Sequence, residues 1–384
     1  MSINLDSSLI HKFRNKVNEK SIFRSVYKNI GGKNHWNIIC SCMDWIDVTT
    51  EGLPAIELKY KNGLGTNHLD SMNLMQYIVA IDIMVEAIMQ LFRVLDSNKS
   101  YPLKNDHSIF KQRKISDDRF FKHIRAVFGT HQVNLDSLDG IKKEDGERFY
   151  ASWPAKGVMK DNDYIVYLYS NNPERDNLNE FGLRISDINE YAEKRYRLLE
   201  VLIQKVEFYL NEHHNNNVNK LIHLNNAPTM QIEILIRENE YRFGEGYGYS
   251  EELDHIRRLL NAKENTSETL INNIVLSYKN HLIEQITIIK SAIEEMKDVN
   301  LIHWTWNAYG YEFEKIYSYL YDFHPLGERY FEELLMNGSL PSYLFDVYDK
   351  DEKELVFESV LFNIANKYKR KITYKDMMNE RLFS

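Results

Sequence analysis

The chain has 384 residues, 43% of them hydrophobic and 27% charged, and carries a net charge of −8. That balance describes a folded protein long enough for two cores and argues against a general affinity for nucleic acid across its surface, which would need excess Lys and Arg. Its two cysteines, Cys40 and Cys42, fall about 200° apart on a helix, which excludes a shared metal or disulfide and fits a reducing compartment.

No apolar segment follows Met1, and the longest apolar stretch, residues 77–95, is interrupted by Asp82, Glu86 and Arg93. Neither a secretory signal nor a membrane span is therefore expected, and the chain reads as cytoplasmic. Residues 34–48 set Trp36, Ile39, Cys40, Met43 and Ile46 at helical spacing, predicting a first helix with one buried stripe. Asp70-Ser71 caps a longer one to about residue 96, with Leu74, Tyr77, Ile78, Ile81, Val85, Ile88, Leu91 and Leu95 along one side. The two are expected to pack antiparallel.

Behind a polar stretch at 98–114, Ser116-Asp117-Asp118 caps a third helix whose apolar face is Phe120, Phe121, Ile124, Val127 and Phe128. Gly129 weakens it just before His131. Runs rich in Tyr, Val and Ile at 149–153 and 164–170 read as a β-hairpin, with Pro154 closing its first strand. Ser186-Asp187 opens a long helix to about residue 211, completing a four-helix bundle.

The polar run at 211–217 marks the boundary between residues 1–212, a bundle with a β-hairpin insertion, and residues 213–384, an irregular all-helical domain. Helices are expected there at 230–242, 250–261, 267–296, 311–323, 326–336 and 351–369, with a short tail helix. The fold class is mainly α.

Several constellations carry no chemistry. His213-His214 lacks a second spaced ligand pair and reads as linker. Asp349 to Glu354 starts like a calcium loop but puts Lys353 at a ligand position and Glu354 where glycine is required. Gly244-Glu245-Gly246-Tyr247-Gly248-Tyr249 lacks a following lysine and reads as a hinge or lid rather than a phosphate cradle. His303-Trp304-Thr305-Trp306 and the tyrosines at 309–321 read as core, with base stacking as the alternative. Neither a nucleophile elbow nor a Rossmann or P-loop signature occurs.

The third helix holds the residues that matter. Arg125 and His131 are separated by five residues, and a guanidinium beside an imidazole can hold a phosphate and move a proton next to it without a metal. On an ideal helix the two are about 9 Å apart along the axis and roughly 120° around it, so they converge only through long side chains or a bend at Gly129. The alternative makes Arg125 a solvated residue and His131 a C-terminal cap. Arg119, Lys122 and His123 add positive potential for an RNA backbone, or form a solvated basic face. Asp82 and Glu86, one turn apart on the preceding helix, are placed to orient the arginine or histidine.

A helix pair followed by a third helix bearing Arg125-Ala126-Val127-Phe128-Gly129-Thr130-His131 resembles the HEPN superfamily (higher eukaryotes and prokaryotes nucleotide-binding domain) over roughly residues 34–211. The resemblance implies a metal-independent endoribonuclease or RNA-binding protein, without a cofactor, of a bacterial toxin or antiphage defence system. It also implies a homodimer whose two Arg and His pairs form one cleft, with a neutralising or sensing protein partner in some systems. Arg125 would stabilise phosphate charge and His131 would serve as general acid or base. Ala126 stands where the family usually has a polar residue. Together with the acidic net charge it favours a second reading, a non-catalytic helical scaffold binding a protein or nucleotide partner.

Overall fold

The computed structural model describes residues 3–59, 68–96, 101–111, 113–142, 146–153, 161–174, 179–224, 227–263, 268–297 and 308–384. The chain is mainly helical and divides into two compact units, Met1–Asn211 and Glu212–Ser384. No described helix is long and apolar enough to cross a membrane.

In the first unit, two short helices absent from the sequence reading come first: α1 (Ser7–Asn18) and α2 (Ser21–Lys28). Asp6 caps α1 by accepting from Ser8 N–H, and Leu9, Ile10, Phe13 and Val17 form its buried stripe. Helices α3 (His35–Gly52) and α4 (His68–Leu95) follow. Helix α4 is the centre of the unit, packing against α3, α5 (Asp117–Arg125) and α6 (Ile185–Tyr196). Its Leu74, Ile78, Ile81, Met84, Ile88, Leu91 and Phe92 are all sealed from solvent, the centre of a core that also draws on α1, α2, the sheet and α7.

One expectation is extended and two need correction here. The hairpin forms as expected from β1 (Phe149–Ser152) and β2 (Tyr164–Ser170), and a third strand, β3 (Asn179–Leu183), extends it to an antiparallel meander with β2 in the middle. The third strand escaped notice because Asn179, Glu180 and Gly182 leave only Phe181 and Leu183 as buried anchors. The single long helix from 186 is two, α6 and α7 (Leu198–Asn217), parted at Arg197 with no Gly or Pro to announce the break. The polar run at 211–217 is the last two turns of α7 rather than a loop. Pro154 lies outside the described residues.

The second unit contains α8 (Pro228–Phe243), α9 (Ser250–Asn261), α10 (Thr269–Glu294), α11 (Tyr311–Asp322), α12 (Pro325–Met336), α13 (Lys350–Tyr368) and α14 (Tyr374–Glu380). It also holds a two-residue parallel pair, β4 (Ala308–Tyr309) with β5 (Ile372–Thr373), so it is not entirely helical. Helix α13 packs on α9, α10 and α11 and is buried on most sides. The fully buried Arg242 donates to the carbonyls of Asn217 at the end of α7, Lys220 just beyond it and Ile293 near the end of α10, tying these chain turns together. The glycine-rich stretch after α8 is pinned rather than hinged: the buried Asn239 side chain donates to Tyr247 O and accepts from Tyr249 N–H.

Candidate functional site

Arg125 ends α5, and the chain then widens into one π turn, Ala126–Thr130, closed by the His131 N–H on Ala126 O at 3.0 Å. Such single π turns occur frequently at functional sites. A Cβ on Gly129 would come within 3.1 Å of Val79 Cγ2 and 3.5 Å of Arg125 Cγ, so the glycine lets the turn close on α4 and lets the arginine stem lie along it.

The guanidinium is drawn to α4. Arg125 Nε lies 3.3 Å from Asp82 Oδ2, while Lys122 Nζ lies 2.7 Å from Asp82 Oδ1 and 3.1 Å from Glu86 Oε2. The contacts of Asp82 are ionic and close no hydrogen bond. Its side chain is 11% exposed against 30% for Arg125, so the carboxylate is the fixed partner and the guanidinium the one that reaches outward. The terminal amino groups of Arg125 donate no hydrogen bond among the described residues. Burial works against the charge on Glu86, but hydrogen bonds and charge from Lys122 and Arg93 outweigh it and hold its carboxyl below the usual value.

His131 is exposed, and its backbone is fixed on both sides. Its N–H closes the π turn, its carbonyl accepts from Asn134 N–H, and the next residue's carbonyl accepts from Ala151 N–H in β1. Leu135 bridges Phe149 in the same strand. The sheet thereby buttresses the loop that carries the imidazole, a role for the inserted strands that the sequence did not disclose. His131 does act as a backbone cap, as one reading anticipated, and that leaves its ring free of any bond among the described residues.

The surrounding cations fare differently. Arg119 is exposed. Lys122 is committed to Asp82 and Glu86. His123, expected among the RNA-contacting residues, is buried: Nε2 lies 3.1 Å from Leu138 O and Nδ1 3.5 Å from Ser137 Oγ, and Phe181 packs edge-on against the ring. Burial pushes its pKa below the ordinary histidine value, partly offset by the Leu138 carbonyl, so the ring is a core residue rather than an RNA contact.

A second constellation, missed in the sequence, lies in the other unit. Buried His255 (α9) stands between two buried carboxylates of α13, with Nε2 3.1 Å from Glu358 Oε2 and Nδ1 3.5 Å from Glu354 Oε1. Tyr278 donates to Glu358 at 2.5 Å, Tyr321 donates to Glu354 at 3.1 Å, and Arg258 donates to Glu354 at 2.8 Å and Asp351 at 2.6 Å. The donor set of one imidazole and two carboxylates is one that holds divalent metals, with the ligand atoms within 4.8 Å of one another. Arg258 NH2, however, sits 3.4 Å from Nδ1, so a cation already faces these acids. The signal that would have found its acidic half is Glu354 and Glu358, one turn apart on either side of the apolar residues Leu355, Val356 and Phe357. No protein-family model, no curated protein and no solved structure matches this chain.

Proposed function

We propose that the first unit binds and cleaves RNA without a metal, as an endoribonuclease of HEPN type. One observation carries this reading. Arg125 is tethered through its Nε side to a mostly buried aspartate, its terminal amino groups donating no hydrogen bond among the described residues, one π turn before an exposed histidine with a fixed backbone. In that role the guanidinium holds a phosphodiester and meets the charge that grows on its oxygens. His131 takes the proton of the attacking ribose 2′-hydroxyl or delivers one to the departing 5′-oxygen, leaving a 2′,3′-cyclic phosphate and a 5′-hydroxyl.

The HEPN reading also implies a homodimer. Exposed Trp45 and Val48 on α3 and Leu69 and Met72 on α4 offer apolar surface of the kind a second copy covers. Under this reading the protein works in the cytoplasm in a toxin or antiphage system, and the second unit senses a trigger, a partner protein or the target. The experiment is incubation of the full chain with single-stranded RNA in EDTA. Products ending in 2′,3′-cyclic phosphate support the reading, whereas cleavage that requires a divalent metal or leaves 3′-hydroxyl ends refutes it. The competing reading, a scaffold that binds a partner without chemistry, is favoured by Asp82 and Glu86, which offset much of the positive charge of Lys122 and Arg125.

A further inference from the structure

We infer that the second unit carries a binding site for a small organic cation of the polyamine class, in the cavity between α9 and α11. The cavity measures about 1040 Å³, the scale of a pocket that takes a small ligand whole. Among the described residues its wall holds five aromatic rings and three carboxylates, Glu251, Asp254 and Glu314, against a single arginine, Arg258. That arginine is already spent on Asp351 and Glu354, and Asp254 is paired with Arg257. Glu251 and Glu314 are exposed and have no cation partner among the described residues.

The rings support the same ligand. Tyr309, Tyr311 and Tyr321 stand 70%, 54% and 49% exposed at the cavity, an unusual surplus of aromatic surface. The chain's own cations already use such faces here, with Lys315 Nζ 5.0 Å from the Tyr311 centroid and Arg258 Cζ 5.5 Å from that of Tyr321. Negative charge in the wall repels phosphates and carboxylates, which excludes nucleotides and acidic metabolites. A bare metal ion fits less well, because the cluster that reaches the cavity through His255 is largely satisfied from within. Both oxygens of Glu354 and Oε2 of Glu358 take donors from the chain, and of these four oxygens Glu358 Oε1 alone has no donor among the described residues. An aliphatic amine suits both features, since its N–H groups donate to the two carboxylates while its charge rests on a ring face.

Isothermal titration of the full chain with spermidine tests this inference, which does not depend on the ribonuclease reading. Saturable one-to-one binding that weakens about ten-fold or more in Glu314→Gln and in Tyr309→Ala is expected. Both positions are exposed, so both variants should fold, as circular dichroism would verify. Glu207→Gln, an exposed position in the other unit, removes one negative charge just as Glu314→Gln does and should leave the affinity unchanged. Non-saturable heats, equal affinity in all variants, or displacement of spermidine by Zn²⁺ in a manner abolished by Glu358→Gln would each overturn the assignment.

Discussion

Replacing Asp82 with asparagine keeps the shape of the side chain and removes its charge, so it isolates what the carboxylate does for Arg125. Two unit charges 3.3 Å apart attract by about 5 kcal/mol at an effective dielectric constant of about 20. Three features reduce the measured loss. The Arg125 side chain is 30% exposed, neither contact of Asp82 closes a hydrogen bond, and Lys122 keeps Glu86 at 3.1 Å. What remains is about 1–2 kcal/mol, or a fall of about 2–8 °C in the melting transition of the first unit. The functional cost should be larger in proportion, because an untethered guanidinium samples many positions and a misplacement of about 1 Å costs about 100-fold in rate. The assay pairs thermal unfolding by circular dichroism with cleavage of a fluorogenic RNA in EDTA. A variant that melts lower yet cleaves at the full rate would refute the claim that Asp82 positions Arg125, and an unchanged melting point would refute the ion pair itself.

His123 makes the stability of the first unit depend on pH. Its folded pKa lies below the ordinary value of 6.5 because the ring is buried, so below pH 6.5 the unfolded chain holds the extra proton. Stability from this residue is complete above that value and falls as pH drops through the interval down to the folded pKa. Urea titrations between about pH 7 and pH 5 should show this slope, and His123→Asn should flatten it. In the second unit, Arg242→Met strips donors from the carbonyls of Asn217, Lys220 and Ile293 and should cost about 3–5 kcal/mol in a denaturant titration. Gly327→Ala places a Cβ 1.8 Å from Lys315 O, a backbone atom that cannot step aside, and should cost about 3 kcal/mol by forcing α12 from α11.

How much of this was legible in the sequence follows from how each feature is encoded. Helices α3, α4 and α5 announce themselves because long runs such as Leu74, Tyr77, Ile78 and Ile81 repeat at the helical period and all end up buried. Helices α1 and α2 are short and amphipathic, with exposed lysines and arginines diluting the pattern, and they passed unnoticed. Arg125 and His131 were visible as a spacing, and Asp82 and Glu86 as placed to orient them. Gly129 signalled a break before His131, but that the break takes the form of a π turn was not visible, since the glycine fits against Val79 across the bundle. The burial of His123 is hidden in the sequence for the same reason. Nothing in a basic helical turn tells that its ring meets Leu138 and Phe181 from distant segments. The His255 cluster joins residues about 100 positions apart, so the sequence shows only its acidic half, Glu354 and Glu358 at a one-turn spacing, and not the imidazole that meets them.

The central claim is most directly tested by kcat/KM for RNA cleavage in EDTA, compared between the full chain and its His131→Ala variant. The histidine is exposed and its backbone bonds do not involve the ring, so the substitution should leave the melting temperature unchanged. The account predicts a loss of about 100-fold or more, the usual contribution of a general acid or base. Equal rates in the two proteins would contradict it.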